Sequence, residues 1–208
     1  MTRAKQHILI CVAASVCIFI IYQVVPGTDK KYLWSMATGY TSIILLTATL
    51  IIGPLNVLNK RNNPTSSNLR RDIAIWCGLI GLAHVVVGIQ VHMGNMLLYF
   101  FKAVEGEEGF ALRSDLFGAA NYTGLAAAII LLMLLMLSND ISLRLLRPAR
   151  WKSLQRWSYA LFILTLGHAV MYQVIEKRTV ALVLLMISIM LVAVVYQVRG
   201  FSQYRKKV

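Results

Sequence analysis

Six apolar runs follow one another along this chain, over residues 8–25, 33–55, 72–93, 116–137, 154–175 and 179–198. Each is long enough to cross a hydrocarbon layer about 30 Å thick as a helix. A backbone in lipid has no water to satisfy its N–H and C=O groups, so such runs fold as helices or as closed barrels. Their length and lack of alternation select helices. The chain therefore reads as an all-α, polytopic membrane bundle of six transmembrane helices, with residues 1–208 forming a single domain. Composition agrees: 58% of residues are hydrophobic and 14% charged, against roughly a quarter charged in soluble domains. The first run follows Arg3, Lys5 and His7 and lacks a small-residue cleavage pattern, so it is expected to stay as an uncleaved helix.

The net charge of +13 raises the possibility of nucleic acid, and its distribution removes it. With six spans both termini lie on one side. That side collects 15 of the 21 Lys and Arg residues, leaving 6 on the other. Basic loops mark the cytoplasmic face, so both termini are expected there, in a bacterial inner membrane, with the lipid bilayer as the first partner. Cys11, Cys17 and Cys77 all lie in apolar runs and read as packing residues rather than a disulfide or zinc site.

Two histidines interrupt the apolar runs. His84 lies in the third span and His168 in the fifth, while His7 precedes the first span and reads as solvated. An intramembrane imidazole needs a partner and marks a functional site. Counting from Arg71 and Arg156, each histidine lies about 18–20 Å from the cytoplasmic edge at 1.5 Å per residue. Two parallel helices thus carry imidazoles at one depth, nearer the outer face. Such a pair suits the two axial positions of a haem iron. A zinc site would require further Cys, His or carboxylate ligands at that depth, and Asp72, Asp140 and Glu176 all fall near helix ends. Without a C-x-x-C-H motif the group expected is haem b. Gly81 and Gly88 share the face of His84 and are expected to leave open surface for a flat macrocycle. His92 falls at the outer boundary, either as a surface residue or as a contact to propionate or substrate. Gln90, Arg113, Lys177 and Arg178 are further outer-side groups with the same possibility.

With these residues in view, the chain resembles the ferric-reductase-like transmembrane haem-binding family. That family includes the haem-binding subunit of the periplasmic methionine sulfoxide reductase system and the membrane core of NADPH oxidases. The matching residues are Arg70-Arg71 and His84, then Trp151, Leu154, Arg156 and Tyr159 in WKSLQRWSY, then His168. The family commonly has histidine where this chain has Gln155, and two-haem members carry a second histidine where Arg70 or Arg71 stands. The resemblance therefore implies one haem, on the outer side, ligated by His84 and His168.

Together these readings describe a membrane electron-transfer protein. No G-x-G-x-x-G follows a strand and no covalently bound flavin is expected, so electrons would come from quinol or from a separate cytoplasmic flavin reductase. The resemblance implies an exoplasmic acceptor, a partner reductase or a metal chelate, and the acidic residues Glu105, Glu107 and Glu108 offer a docking loop. Two alternatives stand beside it: a stand-alone ferric or metal-chelate reductase, and a haem-free small transporter or scaffold subunit.

Overall fold

The computed structural model describes residues 2–60, 68–103 and 109–205. The acidic loop residues Glu105, Glu107 and Glu108, along with Arg61, Lys206 and Lys207, lie outside the described residues. Among the described residues seven α-helices run in order: α1 Arg3–Val24, α2 Lys30–Leu58, α3 Asn68–Gly88, α4 Leu116–Met136, α5 Asp140–Gln155, α6 Trp157–Ile175 and α7 Val180–Arg205. Six spans are long and apolar enough to cross a membrane, and α5 precedes α6 within the fifth of them. The start of α1 and the end of α7 therefore lie on one face of the bundle, called here the terminal face. The opposite hairpin face carries the turns α1–α2, α3–α4 and α6–α7.

Polar caps mark several helix starts, where backbone N–H groups lack partners within the helix. The Asp29 carboxylate accepts from Lys31 N at 2.9 Å, Asp115 from Gly118 N at 2.7 Å, and Asn139 from Ser142 N at 2.7 Å. Between α1 and α2 the chain turns through Pro26 and Gly27, and Gly27 takes φ 136°, a conformation closed to side-chain-bearing residues.

Helix α2 is the axis of the bundle, packing against α1, α3, α6 and α7. Toward the terminal face Leu46, Leu50, Cys77, Leu134, Leu161 and Phe162 form a closely packed apolar cluster. Toward the hairpin face a second cluster joins α1, α2 and α7 through Ile21, Val25, Leu33, Met36, Ala37, Tyr40 and Leu182.

Three local features depart from the sequence-based expectation. The third helix stops at Gly88 instead of reaching 93. Tyr99, from the 3-10 turn Met96–Tyr99, donates its hydroxyl to Gly88 O at 3.1 Å and accepts from His92 N at 2.9 Å. One buried phenol thus satisfies backbone groups that a further helical turn would have used. A short antiparallel pair, β1 Phe101–Ala103 and β2 Phe110–Leu112, completes this connection. The stretch expected as a basic loop before the fifth span is the helix α5, kinked at Arg147–Pro148, and α6 starts at Trp157 rather than 154. His7, expected in solvent, sits with its Nε2 3.4 Å from Oδ1 of the fully buried Asp72. Arg3 and Gln6 also donate to that carboxylate, at 2.9 and 3.1 Å. A buried charge requires such partners, and α1 supplies them all.

Candidate functional site

His84 and His168 come together in the hairpin half of the bundle, with ring centres 6.2 Å apart and ring planes at 81°. Both line a cavity of about 290 Å³ between α2, α3, α4 and α6. Leu46, Cys77, Ala127 and Leu161, members of the packed cluster below, form its floor.

Each imidazole is held from behind by a neighbouring helix. Nδ1 of His84 lies 2.8 Å from Ser35 O on α2, and Nδ1 of His168 lies 2.8 Å from Ala120 O on α4. A carbonyl only accepts, so each Nδ1 carries the proton and each Nε2 keeps its lone pair. Neither Nε2 has a hydrogen-bond partner among the described residues.

Both seats are built from one five-residue device. Residues 35–39 read SMATG and residues 120–124 read ANYTG. In each, the first residue offers its carbonyl and the last is a glycine. A Cβ on Gly39 would fall 2.9 Å from His84 Nδ1, and one on Gly124 would fall 2.6 Å from His168 Nδ1. Any side chain there would push the imidazole off its carbonyl. The threonine before each glycine donates back to the same carbonyl, Thr38 at 3.2 Å and Thr123 at 2.8 Å. The glycines that matter most to the rings therefore lie on partner helices. Gly81 and Gly88 do line the cavity. A Cβ on Gly88 would lie 3.9 Å from His84 Cε1, whereas the space before Gly81 is taken by Leu131 and Ser42 at 2.6 and 2.9 Å. Gly81 thus serves helix approach rather than open surface.

His92 arches back over the hairpin end of the cavity because α3 has already ended. Its Nε2 lies 2.8 Å from Glu176 Oε1, and its ring stacks on Tyr172 at 5.8 Å and 22°. Tyr172 in turn touches His168, ring centres 4.9 Å apart, and donates to Asn121 Oδ1 at 2.9 Å. Burial raises the Glu176 carboxyl, but His92, Arg178 and Tyr32 together outweigh it and hold the group below its ordinary value. Of the other outer-side groups, Arg178 lines the cavity, with its guanidinium 5.9 Å from the Tyr172 ring centre. Arg113 pairs with Asp115 at 2.7 Å, Gln90 donates to Val86 O, and neither they nor Lys177 reach the cavity.

The donor set narrows what this site can hold. Among the described residues no group of three or more His, Cys, Asp or Glu assembles, so the facing imidazoles of His84 and His168 offer two protein donors and no complete ligand set. Two ring centres on either side of one metal, with bonds of about 2.0 Å and a further ~1.1 Å from each nitrogen to its ring centre, would stand ~6.2 Å apart. The observed 6.2 Å matches that span. A metal that brings its own equatorial ligands, as haem iron does, fits these residues.

At the terminal end Arg70 Nε donates to Thr49 O at 3.1 Å and Arg71 pairs with Asp140, while Gln155 closes α5 with its Nε2 buried and without a hydrogen-bond partner among the described residues.

A family model described as ferric reductase like transmembrane component matches residues 38–166. The matched region includes Gly39, His84 and Gly124 and stops two residues short of His168. Neither curated proteins nor solved structures give a significant match. The chain belongs to the ferric-reductase-like transmembrane family.

Proposed function

Starting from that membership, we propose that this protein is a haem b-binding electron-transfer component of the membrane, holding one haem between His84 and His168. The observation that carries the reading is the matched pair of imidazoles. Both are fixed as the Nδ1–H tautomer by a backbone carbonyl, with ring centres 6.2 Å apart. His84 and His168 would hold the group, which would supply one-electron chemistry when bound.

The chain's own residues do the rest. Ser35 O and Ala120 O orient the rings and raise the basicity of Nε2, as hydrogen bonds behind metal-bound histidines do. Gly39 and Gly124 let the carbonyls come that close. The apolar walls keep water out, and Arg178 and His92 at the hairpin end are the groups placed to meet propionate charge. Because the basic terminal face is the cytoplasmic one by its charge, electrons enter from that side, from quinol or a separate flavin reductase. They leave toward an exoplasmic acceptor, a partner reductase or a metal chelate. The membrane is the bacterial plasma membrane in this reading, and the whole chain acts as one domain.

Optical spectroscopy of the purified, haem-supplemented protein tests this. A Soret band that sharpens on dithionite reduction, with one haem per chain, is expected. A haem-free protein after supplementation sinks the reading, as does full loading of a His84→Ala/His168→Ala variant.

A further inference from the structure

Among the described residues, helix α5 is the one long helix with no buried residue. It lies on the terminal face between the ends of α4 and α6, and Trp151 Nε1 ties it to Leu137 O, the residue that closes α4, at 2.9 Å. Leu143, Leu146 and Leu154 turn half-buried toward the bundle. Ile141 and Leu145, one helical turn apart, point away from it with 70% and 78% of their surface open. Arg144, Arg147, Arg150 and Lys152 are exposed, and none forms an ion pair with a described residue. The helix's one acidic residue, Asp140, is already paired with Arg71.

From these features we propose that α5 lies in the headgroup layer and binds anionic phospholipid. An exposed apolar pair beside unpaired cations is the pattern of a membrane-surface helix. Its cations complement phosphate-bearing headgroups. The tether to Leu137 holds the helix at the end of a lipid-spanning segment, where Ile141 and Leu145 enter the acyl boundary. A soluble acidic partner is the rival occupant, and it leaves that apolar pair without a reason to be so exposed. The assignment does not depend on haem.

Hydrogen–deuterium exchange of the full chain in nanodiscs tests it, comparing phosphatidylcholine alone with phosphatidylcholine plus phosphatidylglycerol. Amides across 140–155 are expected to exchange about tenfold more slowly in the anionic discs, each basic residue contributing about fivefold to headgroup preference. Arg144→Gln with Arg150→Gln and Lys152→Gln removes the difference, whereas Lys30→Gln with Lys31→Gln on the hairpin face keeps it. The wild-type comparison stands even if the variants express poorly. Equal exchange in the two lipids overturns the proposal, and so does slowing that needs an added soluble protein.

Discussion

The two halves of the bundle solve the same packing problem in opposite ways. Toward the terminal face, Leu46, Leu50, Leu134, Leu161 and Phe162 fill the space between helices. Toward the hairpin face the same helices part around a cavity, and what holds them apart is polar: two imidazoles seated on two carbonyls. A void in a membrane bundle forfeits dispersion contacts and destabilises unless something fills it. The contrast shows that this chain can pack densely and does not do so where the histidines meet.

The largest effect expected is at the rings. Replacing either His84 or His168 with alanine should abolish haem retention, read as haem per chain by pyridine haemochrome, while the terminal cluster keeps the protein folded by circular dichroism. Next come the seats. Gly39→Ala and Gly124→Ala each force a Cβ into an imidazole and should cost ~1–3 kcal/mol as overpacking does, with lowered haem content. Gly167→Ala, which meets nothing within 4 Å, is the silent control. Equal behaviour of the three variants in thermal melts would break the seat argument.

A smaller effect belongs to the lid over the cavity. Glu176 is held below its ordinary carboxylate value. Its contribution to stability is therefore complete above the unfolded pKa, about 4.3, and is lost as pH falls through the folded value. Glu176→Gln should flatten the acid limb of the stability profile, measured by melts between neutral and acidic pH. The smallest effect sharpens the comparison most. Gln155→His installs the histidine that the family resemblance leads one to expect there, yet should leave the count at one haem, because the apolar cluster occupies the terminal half. A second haem in that variant would show that the packed half can open.

Hydropathy made the six spans legible, since apolar length alone selects a membrane helix, and rise per residue placed His84 and His168 at one level before any contact was known. The seats were harder to read. A backbone carbonyl leaves no mark in a sequence, and the glycines that expose it lie 45 and 44 residues from the histidines they serve. The repeat of SMATG and ANYTG was the available signal, too short to register as an internal repeat. Helix α5 was hidden because its charges read as a loop and Pro148 interrupts its periodicity. His92 was placed on a helix that in fact ends at Gly88, since the phenol that ends it comes from Tyr99, in a separate turn.

Under the proposed function, the paired carbonyl clamps have a consequence for the rate of electron passage. A ring pinned at its far nitrogen by one helix and attached through Cβ to another cannot swing when the charge beside it changes. Fixed dipoles of this kind add little reorganisation to a transfer step. In that reading the backbone of α2 and α4 would lower the nuclear rearrangement each electron must wait for.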